Sequence, residues 1–278
     1  MIRTNLATHS SGSLPAGAPG LPPTGTGAEG ARRVLAVLQA FTAARHTLTA
    51  RDLAESTGIP LPSMYRYIAL LRETGLLIGD ERGSYHLSAR LISLARAAEA
   101  AESIIELADP VMRDLAMECG ETVILVRLIA RTPVCVHRVE SAYHVRATFE
   151  PGQPLPLERG ASAKVLLSGL TPHTRRDYLA AYAKADPAAA ARLEESARLA
   201  AERGWAVSEQ EIDRGVWAAS SAVTDGRSLI AALTVPSPLF RAPAAQRDEL
   251  LSQVRAAAAR LSGLLAVAHN TRGTTHPD

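Results

Sequence analysis

"STGIPLPSMYRYIALLRETGLL", residues 56–77, is almost uncharged for most of its length and sets Tyr65, Arg66 and Tyr67 side by side. Proline is tolerated in the first turn of a helix, so a helix starts at Pro60 or Pro62. From there Met64, Tyr67, Ile68 and Leu71 recur at i, i+3, i+4 and i+7, one apolar stripe. The triplet is thereby split: Tyr67 belongs to the stripe, while Ser63, Tyr65, Arg66 and Ala69 point outward. Upstream, Thr49 stands as N-cap before Asp52, Leu53 and Ala54, and Gly58 closes a helix of about two turns. Earlier still, Val34, Leu35, Leu38 and Phe41 or Thr42 repeat at helical spacing. Downstream, "LLIGDERGSYHLS" carries two short apolar runs around Asp80 to Gly83, the pattern of a small β-hairpin. Three helices followed by a hairpin make a winged helix-turn-helix.

A helix that offers Ser63, Tyr65 and Arg66 near its N-terminus suits the DNA major groove, where Arg pairs bidentately with guanine and hydroxyls reach phosphates or bases. Arg51 on the preceding helix and Arg82 in the hairpin turn complete the candidate contacts. The charge distribution agrees. Net charge is +2 over 278 residues, but residues 1–94 hold nine Arg against six acidic residues, whereas the remainder holds 21 basic against 22 acidic. Hydrophobic residues at 47% and charged residues at 21% describe a folded chain long enough for two domains.

Residues 1–27 are rich in Gly, Pro, Ser and Thr and read as a disordered tail, and residues 271–278 as a second one. The domain of residues 28–88 is followed by a linker helix at 89–107. Asp109-Pro110 restarts a helix that Gly120 ends. From Glu121 the pattern turns to strands: "TVILVRLIA", "PVCVHRVES" and, as a third candidate, "HVRATF". Helices are expected at 161–169, 172–183 and 187–203, strands near 205–208, 217–224 and 228–236, and a long helix from Pro243 to about His269. A sheet with helices on one face fits this order, so the segment 108–270 is α/β or α+β and the whole chain α+β.

The apolar stretches are broken by Arg or Ser, and no membrane helix or membrane partner is expected. Cys119 and Cys135 match no zinc module, so no metal is expected and the chain reads as reduced and cytoplasmic. Ser162-x-Lys164 lacks the Ser-x-x-Lys spacing, and there is neither a Gly-x-Ser-x-Gly elbow nor a Gly-x-x-x-x-Gly-Lys phosphate loop. No enzyme and no cofactor is therefore expected.

The stretch "RRVLAVLQAF…LTARDLAESTGIPLPSMYRYIALLRETGLL…GSYHLSARLISLA" resembles the N-terminal domain of the IclR family of bacterial transcriptional regulators. "LADPVMRDLAMECGETVILVRLIARTPVCVHRVES", "GQPLPLERGASAKVLLSGL" and "ERGWAVSEQEIDRGVWAASSAVTDGRSLIAALTVPSPLFR" resemble that family's effector-binding domain, and together the likeness runs from about Ala28 to His269. The resemblance implies a GAF-like sensor domain, a small organic acid as effector, double-stranded operator DNA as partner, and a homodimer or dimer of dimers. It also places effector contacts at Gly160, Ala161 and Ser162, where backbone N–H groups at a helix start can hold a carboxylate. Glu158 and Ala163 stand where the family commonly has His and Gly.

Further family positions fall on Ser208, Ala218, Thr234 and Pro236. Members that take small keto acids place Asp, Cys and Ser there, so this less polar set points to an aromatic acid such as a hydroxybenzoate. Tyr143, Arg146 and Trp217 are the candidate ring and carboxylate contacts. A sensor or adaptor of the same fold without a specific operator is the alternative.

Overall fold

The structure is a computed structural model that describes residues 26–42, 45–101, 103–144, 146 and 149–273. Most of the expected N-terminal tail, and residues 274–278 of the C-terminal one, lie outside these. The chain divides into two compact units, Met1–Ala95 and Arg96–Asp278.

The first unit comprises α1 (Thr26–Gln39), β1 (Thr47–Thr49), α2 (Ala50–Thr57), α3 (Leu61–Glu73), β2 (Leu77–Gly79) and β3 (Ser84–Leu87). At the start of α2, Thr49 Oγ1 accepts from the Asp52 N–H and Asp52 Oδ2 accepts from the Thr49 N–H at 2.8 Å, a reciprocal box that satisfies two donors the helix cannot. Gly58, at φ +69°, stops the helix in the left-handed region. The expected stripe of α3 is the buried one: Met64, Tyr67, Ile68 and Leu71 pack with Val37, Leu53 and Leu77. Two details differ from expectation. Leu35 is 57% exposed and Val37 takes its buried place on α1, while Val34, Leu38 and Phe41 pack into the core as expected. Thr47–Thr49 adds a strand, so the hairpin sheet runs β1-β3-β2. Three residues that also form an N-cap leave no alternating pattern to read.

The second unit is built on a five-stranded antiparallel sheet of β4 (Val123–Ile129), β5 (Thr132–Val139), β6 (Trp205–Glu209), β7 (Val216–Thr224) and β8 (Leu229–Pro238), in the order β5-β4-β8-β7-β6. Before it come α4 (Arg90–Ala101), which begins in the first unit, and α5 (Ser103–Cys119). Pro110 lies inside α5 rather than at its start, so the expected restart at Asp109-Pro110 falls seven residues late. Between and after the strands lie α6 (Ala161–Ser168), α7 (Pro172–Ala183), α8 (Pro187–Arg203) and α9 (Ala244–Gly273).

Helices cover both faces of the sheet, not one. Val123, Leu125, Trp217, Ala219, Leu233 and Val235 face a core closed by α5 and α9. Ile124, Val126 and Ala232 face a second core closed by α6, α7 and α8. The apolar, non-alternating reading of "VILV" in β4 has this cause, since a strand buried on both faces needs no polar side. The segment "HVRATF" contributes no strand among its described residues, His144, Arg146 and Phe149. Helix α9 is long and apolar enough over Ala244–His269 to cross a membrane by length and composition. Its Leu251, Val254, Ala257, Ala258 and Leu261, however, form part of the first core. Both cysteines are free thiols, and burial pushes Cys135 up to about 11 and Cys119 upward as well.

Candidate functional site

Helices α2 and α3, separated by Gly58 to Pro60, set the outward face of α3 against solvent. Tyr65 is 54% exposed and Arg66 is exposed, with Ser63 half-buried one residue before Met64. The Arg66 guanidinium lies 5.3 Å from the Tyr67 ring centroid, and its Nη2 donates to the Tyr67 hydroxyl at 3.5 Å. Arg66 and, more weakly, Arg33 hold the Tyr67 phenol below its usual value, since both cations favour the phenolate. Tyr67 thus anchors the helix by its ring and steers Arg66 by its hydroxyl. Arg51 is exposed on α2. Arg82 is exposed in the tip between β2 and β3, where Asp80 Oδ1 accepts from the N–H groups of Arg82 and Ser84 at 2.9 Å each. That fold of the tip holds Arg82 outside the hairpin. The face therefore offers hydroxyls and guanidinium groups on a rigid helix, the chemistry that base edges and phosphates accept.

In the second unit a small cavity of about 20 Å³ opens at the start of α6. Of the expected residues, Ala161, Ser162, Ser208, Ala218, Thr234 and Pro236 line it. They come together from α6 and three strands, in a register where Ser208 is opposite Ala218 and Ala218 is opposite Pro236. Ser162 and Ser208 are 3% and 8% exposed, and neither hydroxyl has a hydrogen-bond partner among the described residues. Thr234 Oγ1, by contrast, is bonded to Ser220 Oγ at 2.8 Å.

Gly160 caps α6 at φ +96°, a conformation that favours glycine, and a Cβ there would stand 2.6 Å from Ile212 Cδ1. Its N–H donates to Glu211 Oε2 at 2.9 Å. Glu211 Oε1 in turn accepts from Lys164 Nζ at 2.5 Å, and Lys164 Nζ also donates to the Val207 carbonyl at 2.9 Å.

Three expected contacts lie elsewhere. Trp217 points to the opposite side of the sheet, 3% exposed in the core under α5 and α9, because neighbouring residues of β7 alternate faces and Ala218 takes the cavity side. Tyr143 lies beneath the Arg241 guanidinium, 4.6 Å from its ring centroid, and Arg241 makes a paired bond of 2.6 and 2.8 Å to buried Glu121. Arg146 donates to Glu140 Oε2 at 3.1 Å and to the Tyr143 carbonyl at 3.3 Å. Neither Tyr143 nor Arg146 lines the cavity.

The lining residues that sequence reasoning missed are Ile124, Phe149, Leu155 and Val216, together with Glu211, Ile212 and Asp213 of the loop between β6 and β7. Lys164 was passed over as well, although it is one of two lysines in a chain whose other 28 basic residues are Arg.

Among known proteins, residues 30–81 match the IclR helix-turn-helix domain and residues 97–263 match the bacterial transcriptional regulator IclR C-terminal domain. The HTH-type transcriptional regulator KipR of Bacillus subtilis is 31% identical over 138 residues, which is 50% of this chain and 54% of that one. The transcriptional repressor IclR of Escherichia coli is 23% identical over 219 residues, 75% of this chain and 80% of its own. In fold, an IclR homologue from Microbacterium hydrocarbonoxydans complexed with 4-hydroxybenzoate superimposes with a TM-score of 0.70 at 21% identity, covering 86% of this chain and 99% of the other. With a reading helix of the helix-turn-helix kind in front and a sensor-type α/β unit behind, the chain belongs to the IclR family of DNA-binding transcriptional regulators, whose C-terminal domain binds effectors.

Proposed function

We propose that this cytoplasmic regulator binds a specific operator as a homodimer or dimer of dimers and answers to a small aromatic carboxylate, such as a hydroxybenzoate, at the cavity beside α6. The observation that carries the effector reading is the cavity itself. It combines walls of Ile124, Phe149, Leu155 and Ile212 with the free hydroxyls of two largely buried serines, Ser162 and Ser208, at a helix start whose N–H groups suit an anion. The 4-hydroxybenzoate held by the Microbacterium homologue supplies the first compound to try. At about 20 Å³ the closed cavity holds one water, whereas an apolar cavity that takes benzene measures about 150 Å³. A ring therefore enters only when a wall moves.

Calorimetry with a panel of aromatic and aliphatic carboxylates tests the class. Aromatic acids should bind best and the matching amides much more weakly, while tighter binding of short keto acids would reject the apolar cavity.

The DNA reading rests on the outward face of α3. One helix reads too few base pairs for useful affinity, and paired half-sites supply the rest. Arg66→Ala should weaken binding to the operator by about 1–3 kcal/mol and relax its sequence preference. A gel-shift titration on the DNA upstream of the protein's own gene measures both. Unchanged affinity and preference would remove Arg66 from the contact set, and no shift with the native chain would favour a sensor without an operator.

A further inference from the structure

The seat expected for an effector's carboxylate already holds a carboxylate. Glu211 bridges the first N–H of the α6 start and the Lys164 ammonium, through Gly160 N at 2.9 Å and Lys164 Nζ at 2.5 Å. The loop that carries it is tied at its own base. The Gln210 N–H donates to the Val216 carbonyl at 2.7 Å, and the Gly215 N–H donates to Gln210 Oε1 at 3.1 Å. Residues 211–214 therefore form a short loop between those ties, and its half-buried Ile212 and its Asp213 wall the cavity whose Ser162 and Ser208 hydroxyls lack partners among the described residues.

We propose that Glu211 is an internal substitute for the effector, displaced from Gly160 and Lys164 by the effector's acid group, so that the loop leaves and the cavity opens. The proposal rests on the acid-effector reading above and adds its trigger. Charge requires the exchange: with Glu211 in place and Asp213 on the same wall, an entering carboxylate meets two like charges and a cation that is already neutralised. Once Glu211 is out, the same carboxylate finds the helix N-terminus and an ammonium still held in position by the Val207 carbonyl. Volume requires it too. Outside the strands and α6 the walls are Phe149, Leu155 and the Glu211–Asp213 loop, and of these only the loop carries an anion onto the α6 start. In energetic terms the bound state competes with an internal anion, and apparent affinity is reduced by the fraction of molecules in which that anion has left.

The test is calorimetry on the full chain with 4-hydroxybenzoate and 4-hydroxybenzamide, comparing the native protein with Glu211→Gln and Lys164→Met. Glutamine keeps an acceptor for the Gly160 N–H but no charge. The expected result is that E211Q binds the acid roughly tenfold more tightly, corresponding to an internal anion absent from about one molecule in ten, while the amide, which needs the same opening, gains by no more than that factor and stays the weaker ligand. K164M should lose affinity for the acid. In the ligand-free protein, Gly160 amide exchange should be faster in E211Q than in the native chain. Should E211Q not fold, Glu211→Asp, whose shorter side chain cannot span both partners, is expected to shift acid affinity in the same direction. Acid binding that the Glu211 variants leave unchanged or weaken overturns the displacement and leaves the effector reading intact. No binding of the acid to any of the proteins, or preference for the amide, overturns the effector class and the displacement with it.

Discussion

Trp217→Ala is expected to destabilise the C-terminal unit by about 3–5 kcal/mol, the cost of emptying the space of a fully buried large aromatic. Trp217 sits on β7 opposite Ser237 and packs in the core that α5 and α9 close, with the Arg247 guanidinium 5.7 Å from the ring centroid. Little solvent reaches the site to relieve the hole. Because Ala218, the next residue, faces the cavity, the substitution should leave the affinity for an aromatic acid within a factor of about three once measured below the lowered unfolding midpoint. Denaturant unfolding of the full chain measures the first effect and calorimetry the second. A variant of native stability with a large loss of acid binding would return Trp217 to the effector site.

Met64→Ala is the second large effect, about 2–5 kcal/mol on the DNA-binding unit. Met64 has no exposed surface and lies between α1 and α2 in the cluster of Val37, Leu53 and Ile68. Its neighbour in sequence behaves in the opposite way. Tyr65→Ala removes a ring that is more than half exposed, so the thermal midpoint should stay nearly unchanged while DNA affinity falls. A thermal melt of each variant beside a gel-shift titration separates the two roles, and the reverse pattern would mean that the face of α3 turned to DNA is the one here assigned to the core.

Local signals were legible where they belonged to one element. The Thr49 box, the Gly58 stop and the i, i+3, i+4, i+7 stripe of α3 each lie within a single turn or helix, and the structure holds them where the residues put them. Six of the ten expected effector residues also line one cavity, although they come from α6, β6, β7 and β8. The resemblance, not periodicity, carried that grouping. What could not be read is long-range. No spacing rule connects Lys164 to Glu211, 47 positions apart, or tells which face of β7 takes Trp217 once both faces are apolar. Tyr143 and Arg146 failed for a related reason: their partners, Arg241 and Glu140, are charged groups that compete for the same side chains as a ligand would.

The sheet order carries a consequence for synthesis. β4 lies between β5 and β8, pairing Ile124 with Thr234 and Leu125 with Leu233, so the residues on one of its edges wait for a partner about 100 positions later in the chain. At roughly 5–20 residues per second a ribosome takes about 5–20 s to deliver it. Through that interval the nascent chain shows an apolar strand with an open hydrogen-bonding edge, the kind of surface that chaperones hold and that neighbouring nascent chains can pair with. The C-terminal unit is therefore committed to folding late, after nearly all of it has left the exit tunnel, while the small helical unit ahead of it, rich in local contacts, can already be complete.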